Sequence, residues 1–166
     1  MKLVGLGDSA QAFLTAFATE LANHVDTVPD AVYVAAGEIP WDGESLIMYM
    51  ASEAQGVPGR PNSLTQVSVA TAISYVTFFI ELIRDVSTFG YEGGVIGLPS
   101  DEAMANEGVA ALNDAGALVW TALTLKDEQI PVMGEIDFVI GPCNPVGPMG
   151  GLAAMRLQLD ISVDGT

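Results

Sequence analysis

Met155 to Val163 reads MRLQLDISV, in which Met155, Leu157, Leu159, Ile161 and Val163 alternate without a break with Arg156, Gln158, Asp160 and Ser162. A period of two puts the apolar set on one face of a strand, so this part of the chain is committed to a sheet whose apolar side must be covered. The same alternation predicts a wet opposite face, as in an antiparallel strand at a surface. Directly before it stands GPCNPVGPMGG, Gly141 to Gly151, with Pro142, Pro145 and Pro148 among its turn residues. Proline fixes φ and removes a backbone donor, so this stretch reads as a rigid, donor-poor connector that delivers the last strand to the sheet.

The rest of the chain supplies the other elements. Asp8 or Ser9 is placed to cap a first helix, with Gln11 completing a capping box from Asp8 and Phe13, Phe17, Leu21 and Val25 on one face. That helix ends before Pro29; Ala31–Ala36 and Ser45–Ala51 then read as strands around a turn at 37–43. Residues 53–66 hold Gly56, Pro58, Gly59, Pro61 and Asn62 and read as a long loop that also carries Arg60. Val67 to Asp85 alternates at first and turns apolar on both faces from Val76 to Ile83, a long strand. Its charge-free neighbourhood, Pro61 to Ile80, is long enough for a membrane span, but its eight polar residues and its alternation favour the strand.

Residues 89–100, FGYEGGVIGLPS, form a glycine-rich connector containing Tyr91. Pro99-Ser100-Asp101-Glu102 then opens a helix with acids at the positive end of its dipole, and Met104, Leu112, Ala115, Val119 and Leu123 recur on one face of it. Ile136–Ile140 is a short strand. With no regular strand–helix–strand alternation, the expected fold is α+β over residues 1–166 as a single domain, a mostly antiparallel sheet with two helices packed against it.

Charge narrows the function. Five basic residues against 21 acidic ones give a net charge of −16, which repels phosphate and lacks the Lys/Arg density that grips DNA. Such acidity serves either solubility or the repulsion of another polyanion. One cysteine, Cys143, and one histidine, His24, exclude an internal disulfide and a Cys/His metal cluster. Asp8 interrupts the N-terminus before an apolar leader region could form, so the chain is expected to stay in a cytoplasm or in what assembles there.

Catalysis finds no good address. Gly5-Leu6-Gly7-Asp8-Ser9-Ala10 matches a dinucleotide-binding G-x-G-x-x-A with Glu38 as a ribose acid, but Asp8 sits where the phosphate belongs and no second unit follows. Asp8, Ser9 and His24 are hydrolase ingredients without a nucleophile elbow. Glu81/Asp85 and Asp101/Glu102 read as solvated pairs, Cys143 as an inert thiol, and Trp41, Trp120, Tyr75 and Tyr91 as core residues more than contact anchors. No catalytic, cofactor-binding or metal-binding residue is expected. Attention therefore moves to the irregular stretches, where Arg60, Tyr91, Pro142, Pro145, Pro148, Gly150 and Gly151 are the interface candidates.

Gly141, Pro142, Pro145, Gly147, Pro148, Gly150 and Gly151, followed by the alternating strand, resemble the C-terminal end of tail terminator proteins of long-tailed bacteriophages, particularly those of actinobacteria. The order of elements upstream is compatible with that family. The resemblance implies a structural virion protein and no enzyme: a hexameric ring of identical subunits that caps the tail tube protein and meets a head-side connector or stopper. It also implies a bore through which DNA passes without specific binding, no cofactor, no membrane, and a place in the virion neck after assembly in the host cytoplasm. A tail tube or connector subunit, a host-directed acidic binding protein, or a nucleotide-binding enzyme domain using Gly5 and Gly7 are the alternatives.

Overall fold

The computed structural model of the protein describes residues 5–51, 73–87, 90–92, 95–97, 99–127 and 138–164. Arg60 with the whole of 53–66, residues 67–72 of the expected long strand, and residues 136–137 lie outside the described residues.

The first helix, α1 (Leu6–Leu21), buries Ala10, Phe13, Leu14, Phe17 and Leu21 at the expected helical spacing. It starts earlier than the capping-box reading has it. Gly5, at φ 79°, is the N-cap and no side chain caps the end, so Asp8 sits inside the first turn. Gln11 is used elsewhere, its Oε1 accepting from the Val34 backbone N–H at 3.2 Å.

The strands are β1 (Ala31–Ala35), β2 (Ser45–Met50), β3 (Ile73–Asp85), β4 (Gly90–Glu92), β5 (Val95–Gly97), β6 (Phe138–Met149) and β7 (Leu152–Asp164), with α2 (Asp101–Asp127) between β5 and β6. Five form one sheet in the order β1-β2-β3-β7-β6, antiparallel throughout except for the parallel pair β1–β2. The fold is α+β, as the sequence predicts, with a mixed sheet. The parallel pair arises because the chain crosses from β1 to β2 through residues 36–44, which lay Ile39 and Trp41 on the sheet face away from the helices. Residues 89–100 are more than a connector, since β4 and β5 pair there as a separate two-stranded sheet.

Both helices cover one face of the sheet. Phe13 and Phe17 of α1 and Leu118, Ala122 and Leu125 of α2 pack on Leu46, Met48, Val76, Phe78, Ile80, Leu82, Leu157, Leu159 and Ile161. Ser100 caps α2 as expected, its Oγ accepting from the Ala103 N–H at 3.1 Å. The opposite face is not wet. Ile47, Tyr49, Ile83, Leu152 and Ala154 form a second, smaller cluster there, and Asp160 is buried beside Thr77, whose hydroxyl donates to it at 2.7 Å. From Met155 to Ile161 the alternation holds, with the apolar residues buried, but on the polar side Arg156 and Gln158 are half-buried and Asp160 is buried.

Gly141–Gly151 differs most from its sequence reading. It is no connector: residues 141–149 continue β6 along β7, and only Gly150 and Gly151 turn the chain. Two register shifts, between Ile140 and Cys143 and between Val146 and Met149, absorb the extra residues as bulges. Gly150 and Gly151 stand at φ 60° and 88°, the pair of positive angles that a two-residue hairpin turn of matching twist requires. Three prolines fit a strand here because β6 is the sheet edge, where a missing N–H can face away from its single neighbour.

Candidate functional site

Two features of this fold are candidates for function, a buried polar knot on the second sheet face and the outer surface formed by β6 and α2. The knot is centred on Glu81 of β3, which is 1% exposed between the buried Ile80 and Leu82. Its carboxylate accepts from the Tyr49 hydroxyl at 2.9 Å, the Trp41 indole N–H at 3.1 Å, and Arg156 Nε. Arg156 also donates through Nη2 to Glu38 at 2.7 Å and lies over the rings of Phe79 and Tyr49. Burial holds the Tyr49 hydroxyl far above its ordinary pKa, and the Glu81 charge adds to this. For Arg156, burial alone would lower the pKa; the bonds to Glu81 and Glu38 outweigh it and raise the value. A buried carboxylate that takes three donors from its own chain is engaged by the protein rather than by solvent, so this knot fastens the 36–44 crossover to β2, β3 and β7.

The acids and glycines singled out for chemistry are dispersed. Glu38 is taken by Arg156 rather than left at a ribose position. Asp8 lies in the first turn of α1 and His24 beyond its end, about 24 Å away at helical rise, with His24 bonded to Glu20 at 2.9 Å. Burial pushes the Cys143 thiol up, away from the thiolate form. Glu81 corrects the expectation of a solvated Glu81/Asp85 pair. The signal was present in the sequence: an acid inside the run Val76–Ile83, in a chain whose last strand offers one arginine amid apolar residues.

Among the interface candidates, Pro142, Pro145, Pro148, Gly150 and Gly151 come together on the β6 edge and its turn, the prolines and Gly150 exposed. Tyr91 lies apart in β4, paired with Ile96, and Arg60 falls outside the described residues.

Sequence reasoning missed the outer face of α2. Met104, Leu112 and Leu123 are exposed rather than core-facing, as are Val109 and Trp120, so Trp120 at 59% exposure is no core residue. Trp41 does pack inward, against the second cluster. The helix buries only Ala117, Leu118, Thr121, Ala122 and Leu125, all in its second half. Its first half is tied to the domain through polar contacts: Asp114 takes Arg84 Nε at 3.2 Å, Arg84 reaches the Thr27 carbonyl at 2.8 Å, and Glu107 takes the Ser87 N–H at 2.6 Å. Beside it, between the C-terminal end of α1 and α2, an open cleft of about 610 Å³ is lined by His24, Asp26, Glu44, Asp85 and Leu112.

No protein-family model matches this chain, and no curated protein matches its sequence.

Proposed function

We propose that this chain is a structural ring subunit of the tail-terminator kind, which closes the tail tube of a long-tailed bacteriophage and meets the head-side connector. The observation that carries the reading is the β6 edge. An ordinary edge strand offers a row of N–H and C=O groups on which further strands can add without end. Pro142, Pro145 and Pro148 interrupt that row along the outer half of β6. At the other edge β1 is only five residues long, and its Val34 N–H is already taken by Gln11. A subunit with both edges blunted in this way favours a bounded assembly over an open-ended one, which is what separates a terminator from a tube subunit.

The charge supports the same reading. A net −16 per copy makes any bore lined by acids repel DNA rather than hold it, so the polyanion passes without specific binding. The protein would then belong to the virion neck, assembled in the host cytoplasm, with no cofactor and no enzymatic step.

Native mass spectrometry and negative-stain images of the purified chain test this. Closed rings of one size without tubes are the expected result. Long tubes from the protein alone would favour the tube-subunit alternative, and a monomer that binds a dinucleotide would replace the structural reading by the enzymatic one.

A further inference from the structure

Ala105, Val109, Leu112, Gly116, Trp120 and Leu123 follow one another along α2 at steps of three and four residues, and so share one helical face. That face points away from the core: Leu112 is 74% exposed, Val109 and Trp120 59% each. It is also free of charge, although acids are the commonest charge in the chain. Between the charged residues at its two ends, α2 carries only Glu107 and Asp114, and both are turned inward, to the Ser87 N–H and to Arg84. The result is an uncharged apolar stripe about 27 Å long.

Glycine supplies a second, independent observation. Gly108 and Gly116 stand inside this helix, where glycine weakens it relative to alanine. Nothing among the described residues requires them, since a Cβ at either position would meet none of their atoms within 4 Å. A glycine on an exposed helical face leaves room for another backbone to come close.

We infer that the outer face of α2 is a contact surface for a second copy of this chain. Charge selects the occupant. Copies at −16 each repel where acid faces acid, so contact between them is favoured where neither presents one. On α2 itself no acid stands on the stripe between Ala105 and Leu123, and the acids of the cleft that Leu112 borders, Asp26, Glu44 and Asp85, belong to other elements. A basic partner would be drawn to that cleft rather than along the stripe, on which no acid stands between Ala105 and Leu123. Both sheet edges are blunted, so side chains on this helix, rather than strand addition, are left to join copies. The inference does not depend on the terminator reading. If α2 meets α2 the assembly closes as a dimer, and if it meets a different patch of the neighbour the assembly closes as a ring.

The test is the solution mass of the full chain and of two variants, Leu112→Glu and Trp120→Glu, by native mass spectrometry and light scattering. Both substitutions are at exposed positions, and far-ultraviolet circular dichroism checks that the fold is kept. The wild type is expected to run as a multiple of 17.3 kDa, and each variant to self-associate roughly 30-fold more weakly, as for loss of a contact hot spot. A monomeric wild type would overturn the inference, as would oligomers that persist unchanged in both variants. Rings that survive both substitutions would sink this contact while leaving the ring reading intact. Flotation with phosphatidylcholine vesicles adds one more arm, because α2 has the length and apolarity of a membrane-crossing helix by composition; a monomer that floats would assign the face to lipid and overturn the proposal.

Discussion

Glu81 and Arg156 stand directly opposite each other in the β3–β7 ladder, on the sheet face that the helices leave free, and the arginine Nε donates to the carboxylate across the two strands. The charge pair would be expensive to bury alone; it is held by the Tyr49 hydroxyl, the Trp41 indole and Glu38 as further partners. Because Trp41 belongs to the 36–44 crossover, this one pair links the parallel and the antiparallel parts of the sheet.

Removing both partners should therefore hurt less than the two single losses added together. Glu81→Leu leaves the Arg156 charge and two buried donors without their acceptor, and is expected to destabilise the fold by roughly 3–5 kcal/mol. Glu81→Leu with Arg156→Met should lose clearly less than the sum of the single losses. A double-mutant cycle by urea unfolding reads this directly, and additive losses would mean that the two side chains act separately.

Tyr49 gives the knot a pH dependence. Its folded-state pKa is raised by burial and by Glu81, so the folded protein keeps the proton where an unfolded tyrosine, near pH 10, releases it. The unfolded state then binds fewer protons, and stability falls as pH rises. Full stability below about pH 10 should give way above it, with a slope approaching about 1.4 kcal/mol per pH unit from this residue. Tyr49→Phe should flatten that alkaline limb in guanidinium titrations at stepped pH; an unchanged limb would place the sensitivity elsewhere.

The edge prolines make the next expectation. Pro142→Thr, Pro145→Thr and Pro148→Thr together restore the missing N–H groups along β6 and give the strand residues of high β propensity. The triple variant is expected to grow into fibres or open-ended aggregates that bind thioflavin T, while the wild type does not. If the variant keeps the wild-type mass, the prolines are not what bounds the assembly.

These features were unequally legible in the sequence. Period two and period 3.6 exposed β2, the described part of β3, β7 and α1, because each buries a continuous apolar face; α2 was found by its helical spacing although it buries residues only in its second half. The extension of β6 through Gly141–Met149 was hidden: proline and glycine are turn formers locally, and only the strand's place at the sheet edge makes them tolerable. The wet face assigned to Arg156, Gln158 and Asp160 failed for a similar reason. Alternation tells which residues share a face, but at Arg156 the partner comes from the 36–44 crossover, through Glu38, and at Asp160 from Thr77 of the next strand, neither of which periodicity shows. The exposed stripe of α2 escaped because apolar residues occupy more than one side of this helix, and periodicity alone cannot say which side meets the core.

Two glycines should respond in opposite directions to the same substitution. Gly147 has φ 93°, and a Cβ there would come within 3.1 Å of Trp41 Cζ3 and 3.2 Å of the Leu152 carbonyl oxygen. Gly147→Ala therefore combines a disfavoured backbone angle with pressure on the indole that bonds Glu81, for an expected loss of roughly 1–3 kcal/mol. Gly116 sits in regular helix with open space around its Cβ position. Gly116→Ala is expected to stabilise the isolated chain by about 1 kcal/mol through helix propensity. Measuring both in the Leu112→Glu background keeps self-association out of the comparison. In the unaltered chain Gly116→Ala should instead weaken assembly, since the added methyl stands where a second backbone would approach. A gain in chain stability together with a loss of assembly is the signature expected of a glycine kept for a contact outside its own chain.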